Sequence, residues 1–545
     1  VFVAFGYAGH QSSAVSVAPC GGRPRRDRRR WSVLHTRIRV NITTGRSKFG
    51  AAGQVENAPP EAGKSSGRNT NQAGSGWWPH HRSYPSPHMN SDISLPSNRG
   101  NRFYQGVAAT FFANALQAVN FLGDRFLRKS HHSLSALEDL YRHSMDSAFS
   151  VTEAFLVTGA PHASAYYPRD FAWFYPDVLD PETIMDAQDA VRRARLLDKS
   201  IRLLLEAVRA GVVTTTIVPA GRGRYLGVNY FSRPSDTLLG ILAGLQQMIS
   251  ADQRAPSYLA MSQCAHAGRL LLAEYGGDLK RTILQLAGEL EPLDDGGSRY
   301  LLCDVHAPRS AATDTRAERR RFVTNACVHT TFVWSVQLGI VDEIELKRLL
   351  GCDLAQYKKD LLRLFGKNGY IRHSLDGPTS SPASSVALDF VGVHRGFWDM
   401  NDASERAAFA ATADLIIAEP RFRVPSTFHF LVSADNPRNK MIHKIAAPAY
   451  QGRSSWPTFN VEFADRMLDY DEFSASETYR SCAQGILQDI RTATELHGGY
   501  QELISEHGLK YRTWAYKGAV AHSWFPRFLS VWRRAYGSRL LQWND

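Results

Sequence analysis

"SDTLLGILAGLQQM", residues 235–248, is the stretch whose reading decides the fold. Leu238, Ile241, Leu242, Leu245 and Met248 recur at helical spacing, with Asp236 standing at the start. The helix is apolar over a wide face and rich in small residues. A lone surface helix shows a narrow stripe instead, so this pattern predicts an inner helix packed against an outer layer. The same periodicity spreads outward along the chain. "LLDKSIRLLLEAVRAG" sets Leu197, Ile201, Leu204, Leu205 and Val208 on one face, with Gly211 as the stop. "SASETYRSCAQGILQDIRTATELHGG" opens on a capping box, Ser474 to Glu477, and ends on Gly498 and Gly499.

Further helical segments are predicted near 103–128, 133–155, 257–275, 279–290, 323–338, 342–365, 403–418, 456–469 and 516–536. Some dozen helices with few β alternations make the chain all-α from about residue 101 to 545. A double ring of helices is the expected architecture, although periodicity alone does not separate it from other large helical folds. No repeat of fixed short period is visible, which argues against a solenoid.

Residues 1–100 differ. They are rich in Gly, Ser, Asn, Pro and Arg, as in "GGRPRRDRRR" and "EAGKSSGRNTNQAGSG", and read as a disordered, basic, low-complexity segment. The whole chain has a formal net charge of +12. Residues 1–100 hold 14 Lys and Arg against 4 Asp and Glu, whereas the other 445 residues hold 50 against 48. The folded part is therefore nearly neutral, and no nucleic-acid partner is expected for it. The tail itself could tether the protein to nucleic acid, although it has few interleaved aromatics. The first methionine is Met89, so an upstream extension or a processing scar is one expectation and a transit-like segment another. The short apolar start precedes an arginine run, the reverse of a signal peptide.

No run of eighteen apolar residues occurs, so no membrane association is expected. The six cysteines, Cys20, Cys264, Cys303, Cys327, Cys352 and Cys482, are scattered without a CxxC. A reducing, cytoplasmic location fits them best. Close histidine pairs such as His80–His81 and His131–His132 lack the i, i+4 spacing of a helical metal site. No metal and no cofactor are expected.

Four stretches leave the helical period and gather aromatic and charged residues. "SAYYPRDFAWFYPDVLDP", 164–181, places Arg169 and Asp170 among Tyr166, Tyr167, Phe171, Trp173, Phe174 and Tyr175. That setting is either a structural ion pair or a sugar-binding floor. "YLGVNYFSRPSDTLLGIL", 225–242, carries Asp236, which could instead cap the helix with Ser235. "YQGRSSWPTFN", 450–460, brings Gln451, Arg453 and Trp456, and "HGGYQELISEHGLKYRTWAYKGAV", 497–520, brings Glu502 and Trp514. Two carboxyls flanking a sugar bond, one protonated and one ionised, are what glycoside hydrolysis needs.

In this order the four stretches resemble the six-hairpin (α/α)6-barrel glycosidases, the neutral/alkaline invertases above all and the glucoamylases more distantly. The resemblance spans roughly 160–530. "YYPRDFAWF" looks like the family's Arg-Asp segment, and "SRPSDTLLGILAGL" like the segment whose aspartate is the general acid. "YQGRSSWPTFN" is similar to its Tyr-His-Asn-Gly-Gly-Ser-Trp-Pro segment, without the His-Asn-Gly. "GGYQELISEHGLKYRTWAYKGAV" is similar to the segment whose glutamate is the second carboxylate, with Tyr-Gln-Glu where the family has Pro-Glu-Tyr-Tyr.

The resemblance implies an (α/α)6 toroid acting as a glycoside hydrolase on a carbohydrate substrate. Asp236 would be the acid, its pKa raised by the apolar helix start, and Glu502 the base. Arg169, Asp170, Tyr167 and Trp173 would bind the sugar, and Trp456 and Trp514 would shape the pocket. "YLLCDVHAPRSAATDTRAERRRFVTNACVHTTF" resembles the glucoamylase acid region and makes Asp304 a rival acid, with Asp314 behind it. A non-catalytic sugar-binding or scaffold protein of the same fold is the alternative. Among the remaining candidates, Glu506 is expected solvated or paired with Lys510, and Asp376 in a turn. Asp389 is expected at the mouth, His394 and Arg395 at a subsite, and His329 in helix packing.

Overall fold

The computed structural model describes residues 101–113, 115–116, 159–160, 165–168, 177–184, 186–221, 223–228, 235–292, 300–301, 320–377, 380–391, 396–435, 447–450, 452–513, 518, 521–522 and 524–537. The segment read as disordered, residues 1–100, lies outside them. So do the predicted helix 133–155 and the candidate residues Arg169, Asp170, Trp173, Asp304, Asp314, His394, Arg395, Gln451 and Trp514.

The described residues are all-α, with helices in two layers. Helices α1 (Ala187–Arg209), α2 (Ser235–Ile249) and α3 (Leu259–Gly288) come first. They are followed by α4 (Phe322–Gln337), α5 (Glu343–Leu350), α6 (Leu354–Phe365) and α7 (Ala403–Ala418). Last are α8 (Pro457–Ser474), α9 (Glu477–His497) and α10 (Phe525–Tyr536). Burial separates the layers. Helix α4 is buried from Phe322 through Phe332, and α8 from Pro457 through Leu468, which leaves neither a solvent face over those runs. Their partners bury one stripe only: Leu354, Tyr357, Leu361 and Phe365 on α6, and Tyr479, Cys482, Ala483, Ile486, Leu487, Ile490 and Thr494 on α9. Three inner–outer hairpins follow: α2 with α3, α4 with α6, and α8 with α9.

The inner layer closes on itself. Helix α2 packs on α4, and α4 on the turn Leu388–Val391. That turn packs on α8, α8 on α10, and α10 on the turn Pro181–Thr183. Arg193 of α1 donates to the Thr183 carbonyl at 2.5 Å and to its hydroxyl at 2.8 Å, and α1 packs back on α2. This circuit of inner elements with an outer helical layer is the (α/α) toroid.

Several boundaries depart from the sequence reading for physical reasons. The segments 257–275 and 279–290 form one helix, α3, which runs through Gly276 and Gly277. Its buried stripe, Leu271, Tyr275, Leu279, Ile283 and Leu286, continues across the glycines and outweighs their low helix propensity. The segment 342–365 instead splits into α5 and α6, because Gly351 turns left-handed at φ +72° and Asp353 caps a new helix. The capping box does not form at Ser474, which is the last residue of α8. Ala475 turns at φ +47°, and Ser476 accepts from the Tyr479 amide instead. Gly211 and Gly498 do end their helices, at φ +75° and +67°.

A small sheet adds what helical periodicity could not show. Strands β1 (Arg102–Tyr104), β2 (Thr216–Pro219) and β3 (Arg224–Val228) lie in the order β1-β3-β2, with β1 parallel and β2 antiparallel to β3. The described helices include none long and apolar enough to cross a membrane. Cys264, Cys327, Cys352 and Cys482 are free thiols.

Candidate active site

Trp456 precedes Pro457, and a residue before proline is driven to extended backbone. It sits at φ −104° and ψ 109°, while the proline takes the first turn of α8, where its missing N–H costs nothing. Just upstream, strand β4 (Ser454–Ser455) pairs antiparallel with β5 (Ile504–Ser505), Ser455 opposite Ile504. That short ladder brings the third stretch against the fourth. It carries Glu502, two residues before the pairing, beside the turn that holds Tyr450.

The Tyr450 phenol donates to a Glu502 carboxylate oxygen at 2.8 Å. Glu502 is only 7% exposed, so this charged hydrogen bond is sheltered from water. The Tyr450 carbonyl in turn accepts from the Trp456 indole N–H at 2.7 Å and from the Ser454 hydroxyl at 2.6 Å. The Trp456 ring meets Tyr450 edge-on at 5.1 Å and stacks on Trp524 at 5.9 Å. Tyr511 closes the far side, its ring 6.2 Å from that of Tyr450 and its hydroxyl on the Pro448 carbonyl. Burial first, and then the Glu502 charge, push the Tyr511 phenol above its ordinary range, so it stays a neutral donor. The result is a carboxylate oriented by the Tyr450 phenol in an aromatic nest.

The surrounding loops are stitched by backbone bonds. Val432 N donates to Ser454 O at 2.9 Å, and Leu388 N to Val432 O at 2.8 Å. Asp389, next to Leu388, is buried in this layer. Glu506 is gripped by Arg453 at 2.6 Å, not by Lys510, whose ammonium donates to the His497 carbonyl. Arg453 also reaches Ala434 O at 2.7 Å.

Asp236 belongs to a second group. It lies in the first turn of α2 and is 1% exposed. Ser235 and Asp236 are both inside the helix and do not occupy the N-cap. Thr237 anchors that turn by donating to the Thr214 carbonyl at 2.9 Å. Ile217, on the strand just beyond Thr214, exchanges backbone bonds of 2.9 and 2.8 Å with Tyr166. Half-buried Tyr167 follows Tyr166, so the start of the Arg-Asp stretch lies against the strand leading from the anchor of Asp236.

A buried arginine joins helix α8 to the end of the Arg-Asp stretch. Arg527 donates to Glu462 at 2.6 and 3.1 Å, to Asp465 at 2.6 Å and to Asp177 at 3.1 Å. Glu462 and Asp465 lie on α8, the helix that Trp456 opens, and Asp177 belongs to the Arg-Asp stretch. Arg533 pairs with Asp180 at 3.2 Å a little further on. Beside this network, burial and the neighbouring Asp465 hold the Asp469 carboxyl above its ordinary range, against Arg466 and Arg534.

The structure therefore brings Glu502 and Trp456 together and sets Tyr167 near the anchor of Asp236. The sequence reading does not single out Tyr450 or Arg527. Tyr450 opens a quoted motif, but nothing in its spacing ties it to a residue 52 positions away. Asp376 lies in a bend and ties it to the segment leading into α4: it accepts from the Arg320 amide at 2.9 Å and from its guanidinium at 2.6 Å. His329 packs on Tyr357 and Phe397, and burial, with the Lys358 charge, pushes its pKa down to about 3. Among the described residues, no group of three His, Cys, Asp or Glu side chains could hold a metal ion.

No family model and no curated protein matches this chain. Solved structures do match it. A wild-type glycosidase is 12% identical over 75% of this chain and 100% of its own, with a TM-score of 0.41. A glycosidase variant in complex with glucose is 13% identical over 75% and 100%, at 0.39. The cellobiose 2-epimerase of Spirochaeta thermophila DSM 6192 is 8% identical over 79% and 99%, at 0.41. Likeness at these scores decides nothing about the site, whose chemistry rests on its own geometry.

Proposed function

We propose that this protein is a carbohydrate-active enzyme, an inverting glycoside hydrolase with Glu502 as general base and Asp236 as general acid. The observation that carries the reading is the buried Glu502 carboxylate, oriented by the Tyr450 phenol and walled by aromatic rings. The carboxylate takes a proton from a water that attacks the anomeric carbon. Asp236 gives its proton to the departing oxygen on the opposite face, so one sugar bond breaks, one C–O bond to water forms, and the protons balance. An inverting pair needs roughly 6.5–9.5 Å between carboxyls to admit that water. Arg169 and Asp170 hold the non-reacting hydroxyls, with Tyr167, Trp173 and Trp514 as walls and Trp456 bracing Tyr450. Asp304 is the rival acid. The free thiols fit a reducing compartment such as the cytoplasm.

The test is a screen of the full chain against sucrose, trehalose, maltose and aryl glycosides, with the released anomer followed by NMR. Turnover with inverted anomer is expected. A retained anomer overturns the inverting pair, and sugar binding without turnover replaces the enzyme with a non-catalytic sugar-binding protein of the same fold.

A further inference from the structure

Asn460, three residues into the helix that Pro457 opens, is fully buried and uses every polar atom of its carboxamide. The oxygen accepts from the Phe430 amide at 2.8 Å. The nitrogen donates to the Phe430 carbonyl at 3.0 Å, the Trp456 carbonyl at 3.0 Å and the Ser455 hydroxyl at 3.2 Å. The orientation of the amide is fixed by these partners, because an N–H faces its oxygen and three acceptors face its nitrogen. A single side chain thus ties the strand-like backbone at Phe430, the ladder at Ser455 and the turn at Trp456.

From Trp456 the bonds continue in one direction: indole to the Tyr450 carbonyl, then Tyr450 phenol to Glu502. Ser455, the other tethered residue, is the ladder partner of Ile504, two residues beyond Glu502. Asn460 therefore stands behind the Tyr450 bond to Glu502 and behind the ladder beside it. The amide satisfies Phe430 N and O together, as a neighbouring strand would, so it does the work of a rung of sheet from a side chain.

We propose that Asn460 is a positioning residue for the carboxylate: it fixes the Tyr450–Trp456 turn, and through it the direction of the phenol proton on Glu502. This rests on the reading of Glu502 as the base, but the position of the turn can be read without any substrate. Trp456 and Trp524 stack closely enough for their transitions to couple, and the circular dichroism lost in Trp456→Phe isolates that pair.

Asn460→Asp is nearly isosteric, yet a carboxyl offers at most one donor when protonated and none when ionised, where the amide offers two N–H groups to the two carbonyls and the Ser455 hydroxyl. The coupled tryptophan signal should fall by at least half in protein that is still folded. On the sugar that the wild type turns over, kcat should drop about tenfold or more with KM within about threefold. Ser455→Ala, which removes one acceptor only, should show the same pattern at about two- to fivefold, and it serves if Asn460→Asp does not fold. An unchanged tryptophan signal and unchanged kcat in the folded variants overturn the proposal. If the wild type turns over no sugar, the enzymatic reading falls and the positioning of a base with it, while loss of the signal still establishes that Asn460 fixes the Tyr450–Trp456 turn.

Discussion

The turn that presents Glu502 and the helix start that presents Asp236 are built on different principles. Glu502 sits beside a two-residue ladder, its carboxylate bonded to a phenol whose own backbone is tied by two further side chains. Asp236 rides on the first turn of an inner helix whose remaining length is largely apolar, and a threonine hydroxyl anchors that turn. In the first region, side-chain hydrogen bonds set the geometry; in the second, the packing of a whole helix does. A substitution near Glu502 should therefore disturb chemistry and leave stability, whereas near Asp236 the two should fall together more readily.

The largest expected effect tests that contrast directly. Glu502→Gln keeps an oxygen for the Tyr450 phenol but removes the proposed base, and should lower kcat on a good sugar substrate by about 10²–10⁴-fold with a melting temperature close to wild type. Asp236→Asn should lose a similar factor on an alkyl or sugar leaving group. It should recover most of that loss on an aryl glycoside whose phenolate departs without protonation. Recovery in Glu502→Gln, or none in Asp236→Asn, would exchange or cancel the roles, and the same leaving-group series on Asp304→Asn ranks the rival acid.

Next in size is the buried network between α8 and the end of the Arg-Asp stretch. Arg527→Met leaves Glu462, Asp465 and Asp177 buried without their shared cation, a change that typically costs about 3–5 kcal/mol. Urea unfolding should show that loss. A loss below about 1 kcal/mol would mean that Arg534 and Arg466 carry the charge balance and that Arg527 does not tie α8 to Asp177.

These regions differ in legibility too. The inner helix of Asp236 is readable from residues 235–248, because a wide apolar face has one physical meaning inside a two-layer helical fold. Motif order singles out Glu502 but not its partner: Tyr450 lies far off in sequence, and no local period encodes a pairing made by a two-residue ladder. Arg527 is hidden for the opposite reason. It sits at the start of an amphipathic helix, where an arginine ordinarily reads as solvated, and only burial reveals three carboxylates around it. The unbroken helix at Gly276–Gly277 shows propensity yielding to packing, while Gly351 shows a glycine that does end a helix because its φ is positive.

A third measurement separates the scaffold's pH dependence from that of the site. His329 lies between α4 and α6 with a pKa pushed down to about 3, mainly by burial. The unfolded chain takes up a proton near pH 6.5 that the folded state refuses. The contribution of His329 to stability is therefore constant above about pH 6.5 and falls between there and about pH 3, by roughly 1.4 kcal/mol per pH unit. His429, buried and shifted in the same direction, adds to the slope with the same sign. His329→Leu should flatten the urea midpoint between about pH 6 and pH 4 by one proton's worth while leaving the pH–rate profile of the proposed activity in place for folded protein. A profile that moved with this variant would mean that the acid limb reports unfolding and not Glu502 or Asp236.

The smallest change probes the phenol itself. Tyr450→Phe keeps the ring that meets Trp456 and Tyr511 and removes only the hydroxyl that donates to Glu502. A hydrogen bond to a charged group contributes about 1.5–3 kcal/mol, so kcat should fall by about ten- to a hundredfold if the bond orients the base in the transition state. Because the Tyr450 carbonyl keeps its bonds to Trp456 and Ser454, the turn and the coupled tryptophan signal should not move. That outcome would set Tyr450→Phe apart from Asn460→Asp, in which signal and kcat fall together. If Tyr450→Phe shifted the tryptophan signal as well, the phenol would be holding the turn, and the direction of support between Tyr450 and Glu502 would be reversed.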